Sequence, residues 1–390
     1  MHTDRFDAIT VEQLRAAGST KWSRFPQDVG AFIAEMDFGV PPRVTEVVQR
    51  AVDTEAFGYL PEADRLATRR ACASWLGRTT GWQVGEEQVF LLPDVLSAMR
   101  VAIHHFTPPG TPVIVPTPAY MPFLTVTPAA DRDVIEVPSL RDETGRYHLD
   151  LEGIDAAFAA GARLLVLCNP WNPVGRVLTR EELLAVADVV ARHGGRVFAD
   201  EIHFPLILDD VPHVPYASIS AEAAAHTITA VAASKGWNIP GLKCGQMVLS
   251  NPDDIRTFAP YATDAGDTVG LLGARAAAAV YTDDGGWLPE VLDYLRGNRA
   301  VLSEAVAEIP GLRLSPVEGT YIAWLDCRDL ALPGGPAAFF RRHAGVALTD
   351  GAMCGSAGEG FARFVFAMPR PVLRETLDRM TEAVRAHVAA

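Results

Sequence analysis

The sequence predicts an α/β protein: a large domain with a mostly parallel sheet covered by helices on both faces, then a smaller α+β domain. Three observations lead there. Several short runs are continuously apolar, as strands buried on both faces are. Between two of them lies a stretch with helical periodicity. After about residue 285 the pattern changes to long helices and alternating strands, the texture of a separate α+β unit.

The buried strands are expected at 112–116 (PVIVP), 163–168 (RLLVLC), 196–200 (RVFAD), 227–233 (TITAVAA) and 246–250 (QMVLS). The stretch 179–195, TREELLAVADVVARHGG, reads as an amphipathic helix with Thr179 as its N-cap and Gly194 as its stop. A long helix should follow from Trp287 to about Glu308, then strands in 319–326 and 362–369 and a closing helix over 371–388. At 390 residues the chain exceeds one ordinary core. We divide it into an N-terminal segment, 1–45, that packs on the small domain, a large domain, 46–285, and a small domain, 286–390. The glycines of 350–360 neither follow a strand nor open a helix, so they form a loop and not a dinucleotide-binding turn.

A net charge of −14 argues against a nucleic-acid binder, which needs a basic face. The opening MHTDRFDAIT lacks a charged-then-apolar leader pattern, and no apolar run approaches membrane-spanning length. The five cysteines, 72, 168, 244, 327 and 354, are odd in number and widely spread, without a CxxC. These features predict a cytoplasmic protein without a membrane partner, a disulfide framework or a metal site. The adjacent His104 and His105 read as helix-surface residues.

In an open α/β sheet, ligands bind beyond the carboxyl ends of the strands. The segments that follow the predicted strands are TPAY (117–120), NPWNPVG (169–175), DEIH (200–203) and SKGWN (234–238). They gather polar residues at one edge. Only three lysines occur, Lys21, Lys235 and Lys243, against 31 arginines. Arginine stays charged at any working pH, whereas lysine can lose its proton and form a Schiff base. A solvated surface charge is the other reading of each lysine. Asp200, ending a buried strand, needs either a salt bridge or a cationic ring nitrogen. Asn172 could shape a turn or bond a ligand hydroxyl. Ser234 and Lys243 could hold a phosphate or face solvent. Tyr120 could be core or a platform for an aromatic ring.

Taken together, NPWNPVG, the DE after a strand and SKGWNIPGLKCG resemble the fold-type I pyridoxal-phosphate enzymes of the class I/II aminotransferase group. The stretches AEMDFGVPPRV (34–44), FGYLPE (57–62), DEIH, NIPGLKC (238–244), GTYIAWLD and RFVFAMPR (363–370) are similar to the cystathionine β-lyase branch typified by the MalY and PatB proteins. The resemblance runs from about Lys21 to the last helix. It implies the fold-type I architecture, pyridoxal 5′-phosphate as cofactor and Lys235 as its Schiff-base lysine. Lys243, Ser234 and the backbone of Asp94, Val95 and Leu96 at a helix N-terminus would bind the phosphate. Asp200 would pair with the pyridinium nitrogen, Asn172 would contact the ring hydroxyl with His203 nearby, and Tyr120 would stack on the ring. Arg363 would grip the substrate α-carboxylate as a bidentate fork, with Asp37, Asn172 and Tyr120 also on the substrate side. Tyr59 would reach the phosphate of a neighbouring subunit, which makes a homodimer necessary.

The implied activity is C–S β-lysis of an S-substituted L-cysteine to a thiol, pyruvate and ammonia. Transamination of an L-amino acid, or a decarboxylation-linked deamination, would use the same constellation. A non-catalytic regulatory protein is a further alternative, weakened by the presence of both Lys235 and Asp200. Departures from the branch pattern at Glu35, Trp171, Leu178, Pro205, Gly236 and Trp237, and PDVL in the phosphate loop, leave the substrate open. Several of these residues are expected to line the substrate pocket, which suggests a conjugate bulkier than cystathionine.

Overall fold

The structure is a computed structural model that describes residues 4–283 and 285–389. Its main sheet has seven strands in the spatial order Val89–Leu92, Gly245–Leu249, Thr227–Val231, Arg196–Asp200, Leu164–Cys168, Val113–Thr117 and Val134–Pro138. The pairs from Thr227–Val231 across to Val134–Pro138 are parallel. Gly245–Leu249 runs antiparallel to both of its neighbours. Its link from the preceding strand holds one helical turn, Ala233–Gly236, and a 3₁₀ turn, Pro240–Leu242, rather than a crossover helix long enough to keep the direction.

The five strands read from continuous apolar runs form where expected, because burial on both faces demands such runs. The two remaining strands are the sheet's edges. VFLL has only four residues, and VIEVP is interrupted by Glu136, so neither stands out as a buried run. Helices cover both faces. Arg180–Arg192 begins with a capping box: Glu182 N–H donates to Thr179 Oγ1 at 3.2 Å, and Thr179 N–H donates to Glu182 Oε2 at 2.8 Å. Gly194, with φ +56°, then turns the chain out of the helix.

A four-stranded antiparallel sheet, in the order Arg313–Leu314, Ile322–Asp326, Phe361–Val365 and Thr349–Asp350, lies with the helices Trp287–Ala307, Pro336–Ala344 and Arg370–Val388. The N-terminal strand Val29–Gly30 pairs in parallel with Val346–Ala347 of this half. Gly30 is required there, since a Cβ would stand 2.1 Å from the Lys21 carbonyl oxygen. All five cysteines are buried and unpaired. Among the described residues, no helix is long and apolar enough to cross a membrane.

Candidate active site

Register places the polar strand ends side by side. Cys168 pairs with Asp200, and Asp200 with Ala230, so the segments after three adjacent strands open at one edge of the sheet. A cavity there is lined by Asp94, Val95, Leu96, Tyr120, Asn172, Asp200, His203, Ser234, Lys235 and Lys243. A second cavity shares Ala34, Tyr120 and Lys235 with the first and continues to Phe32, Thr349 and Arg363. Lys235 therefore stands where the two meet.

At one end of the first cavity, Asp94 caps the helix Val95–Phe106 by accepting from Ser97 N–H at 2.9 Å. Among the described residues, none accepts the N–H of Val95 or Leu96, which leaves these helix N-terminal donors for an anion. Lys243 Nζ stands beside them, 3.1 Å from Asp94 Oδ2. Burial works against the Asp94 charge, but the bonds from Ser97 and Lys243 win and hold its carboxyl below the usual range.

Deeper in, Asp200 is buried, and its carboxylate accepts one hydrogen bond among the described residues, from Ile202 N–H at 3.1 Å. Burial pushes its pKa up to about 7, against the Ile202 bond and the nearby Lys235. His203 is buried, with Nδ1 2.9 Å from Thr320 Oγ1, and burial holds it well below its ordinary value. Lys235 Nζ donates to the Ala34 carbonyl at 2.8 Å. Burial first, then the Arg363 charge, lower its pKa to about 8. Arg363 is buried between three acceptors: Asn172 Oδ1 at 3.2 Å, Phe32 O at 2.7 Å and Thr349 Oγ1 at 3.3 Å. Its Nε is buried with no partner among the described residues.

The structure thus brings together every sequence-derived candidate except two. Asp37 lines neither cavity. Both of its carboxylate oxygens are occupied, by Lys21 Nζ at 2.8 Å and Trp22 Nε1 at 2.9 Å, which corrects the substrate-side reading: it is a buried counter-ion. Tyr59 also lies outside both cavities, with 92% of its surface exposed on this chain. Several pattern departures also fall elsewhere than expected. Trp171, Leu178 and Trp237 are buried core residues outside the two cavities. Gly236 and Pro205 belong together, because a Cβ on residue 236 would meet Pro205 Cβ at 3.0 Å. Sequence reasoning missed the carbonyls of Phe32 and Ala34, and Thr349 and Thr320. Backbone acceptors carry no residue signature; Thr320 lies within the GTYIAWLD stretch and Thr349 in a short strand, and nothing in either residue type marks it as a partner of His203 or Arg363.

A family model for aminotransferase class I and II matches residues 33–380. The chain belongs to this family. It is 36% identical over 378 residues to a cystathionine β-lyase from Corynebacterium glutamicum, covering 96% of this chain and 99% of the relative. It is 31% identical to the cystathionine β-lyase PatB of Bacillus subtilis, covering 96% and 98%. A solved structure from Corynebacterium diphtheriae, described as a PLP-dependent β-cystathionase, superposes with a TM-score of 0.91 at 40% identity, covering 97% and 98%. This aminotransferase-family protein has the fold-type I architecture and is a pyridoxal-phosphate-dependent enzyme. Its cavity fits that cofactor on its own terms. One end offers unpaired helix N–H groups, Ser234 and Lys243 to a phosphate. The other offers a buried carboxylate with a single hydrogen bond, which a cationic ring nitrogen would complete.

Proposed function

We propose that this enzyme is a C–S β-lyase acting on an S-substituted L-cysteine, cystathionine-like or bulkier, and releasing a thiol, pyruvate and ammonia. The geometric observation that carries the reading is the Lys235 amine, lowered to about 8, at the junction of an anion-binding cavity and an arginine-floored one. Full-length likeness to cystathionine β-lyases favours C–S cleavage over transamination.

Residues 46–285 form the cofactor-binding domain in this reading, and 286–390, with the N-terminal segment, the substrate-side domain. Val95 and Leu96 N–H, Ser234 and Lys243 hold the cofactor phosphate. Asp200 faces the ring nitrogen, and a cation there draws it back to the charged form that burial alone disfavours. Asn172 contacts the ring hydroxyl with His203 close by, and Tyr120 provides the stacking face. Bound there, pyridoxal phosphate supplies an electron sink for the charge left on the substrate Cα. Arg363, which lines the second cavity, orients the α-carboxylate. Lys235, a substantially neutral amine near pH 8, takes the Cα proton as general base. Loss of the thiolate from Cβ and addition of one water then balance the conversion to thiol, pyruvate and ammonia.

Exposed Phe57 and Tyr59, at 64% and 92%, support an assembly in which a second copy covers this loop and Tyr59 reaches its phosphate site. The unpaired cysteines support a reducing, cytoplasmic setting. The deciding assay gives cofactor-loaded enzyme L-cystathionine and a bulky S-substituted cysteine, and quantifies thiol and pyruvate with and without an α-keto acid. Acceptor-independent thiol and pyruvate are expected. Amino-acid formation that requires the acceptor, without thiol, would make the enzyme an aminotransferase.

A further inference from the structure

Lys21 is absent from both cavities, yet it is the most completely buried of the three lysines. Its Nζ donates to Asp37 Oδ2 at 2.8 Å, to Glu35 O at 3.1 Å and to Ala367 O at 3.4 Å. Asp37 N–H also donates to Ala367 O, at 3.0 Å. A buried ion pair is weak evidence for net stability, because desolvation cancels much of its attraction. What this pair does is fix a stretch of backbone. That stretch, 34–39, is held on its other side by Asn238, whose Nδ2 donates to Met36 O at 2.7 Å and to Gly39 O at 2.9 Å. Asn238 Oδ1 accepts from Met36 N–H at 2.9 Å. The first residue of the clamped stretch supplies the carbonyl that meets the site. Ala34 O accepts from Lys235 Nζ at 2.8 Å and from Tyr321 OH at 2.9 Å.

We propose that Lys21 and Asp37 are positioning residues: they hold the Ala34 carbonyl as the fixed acceptor that orients the Lys235 amine for proton transfer. A lysine amine sits on a flexible four-carbon stem. Committing one N–H to an immobile acceptor restricts where its lone pair can point, and small misplacements of a reacting group are costly. The charged groups facing Lys235 are Arg363 and Lys243, which lower its pKa, and Glu35 and Asp200, which raise it. Buried Tyr120, Tyr321 and His203 complete the surroundings. A carbonyl acceptor favours the charged amine, so weakening it shifts Lys235 further toward the neutral form. The inference rests on the reading of Lys235 as the base that removes the α-proton.

The test uses holoenzyme carrying the near-isosteric pair Lys21→Met and Asp37→Asn, and follows exchange of the L-alanine α-proton in D₂O by NMR across pH. Exchange needs the base but no leaving group. A wild-type enzyme that exchanges the α-proton but releases no thiol would therefore sink the lyase reading and leave this one standing. We expect maximal exchange to fall about tenfold, with the acidic limb of the profile displaced to lower pH. Wild-type exchange, or a slower rate with an unmoved limb, would overturn the proposal, since a merely structural pair lowers the folded fraction without shifting the limb. Should the double variant not yield folded holoenzyme, Tyr321→Phe decides. It leaves Lys235 as the sole side-chain donor to Ala34 O and should move the limb to higher pH; an unmoved limb there refutes the assignment.

Discussion

The two cavities that meet at Lys235 are built by different rules. The cofactor side is made mainly of consecutive segments leaving adjacent strands of one sheet. Its polar groups are under-bonded: Asp200 accepts a single hydrogen bond, and Val95 and Leu96 offer N–H groups without a protein acceptor among the described residues. The substrate side is assembled from residues near 32, 120, 235, 349 and 363, and its central Arg363 already has three acceptors. The first side is a rigid frame left incomplete, so a large ligand can complete it. The second is a preformed grip whose precision depends on several chain segments arriving together.

Breaking the junction should have the largest effect. Lys235→Ala is expected to lower thiol release at least about a thousandfold, measured as thiol and pyruvate production at saturating substrate. In the wild type the same group should set an acidic limb near pH 8, with rate rising as pH rises because the neutral amine is the base.

Next, Asp200→Asn separates the incomplete frame from its ligand. Cofactor affinity, read by absorbance titration, should fall by roughly one to two orders of magnitude with the loss of a charge-assisted bond. The cofactor-free protein should respond in the opposite sense. The folded pKa of Asp200 is raised to about 7, above that of an unfolded carboxylate, so its ionisation withdraws stability as pH rises from the carboxylate range to about 7. Thermal melts of cofactor-free wild type between pH 5 and pH 8 should show a decline that Asp200→Asn reduces.

Arg363→Lys sharpens the contrast from the substrate side. A point charge cannot reproduce the planar fork, so KM should rise about tenfold or more with a smaller change in kcat, while cofactor affinity stays within about twofold. The smallest effect belongs to the frame's packing. Gly236→Thr forces a Cβ against Pro205 at 3.0 Å and should cost about 1–2 kcal/mol in a denaturation midpoint analysis. Adding Pro205→Gly, which removes that Cβ, should recover part of it.

The architecture and the cofactor side were legible in the sequence because both rest on local rules. A strand buried on both faces must be a continuous apolar run, and a polar residue just after such a run is delivered to the sheet's edge whatever the rest of the chain does. That rule gathered Asp200, Asn172, Ser234 and Lys235 at one edge, and the resemblance to the family then suggested a role for each. The edge strands escaped notice for different reasons: Val89–Leu92 is an apolar run of only four residues, and Glu136 interrupts Val134–Pro138, whose edge position leaves it partly exposed. Asp37 shows where the local rule fails. It sits in a motif stretch, and only packing with Lys21 and Trp22 turns it away from the cavity into a buried pair.

By itself, then, the sequence determined the fold class and which polar residues gather at the strand ends, since each depends on residue type and position along a strand; the resemblance to the family supplied the roles proposed for them. Only the tertiary structure decided that Lys21 bonds the backbone next to the carbonyl that meets Lys235, that a side chain at residue 236 would crowd Pro205, and that Ala34 and Phe32 act through their carbonyls. Those contacts join residues far apart in the chain or use atoms every residue possesses, so no side-chain pattern encodes them.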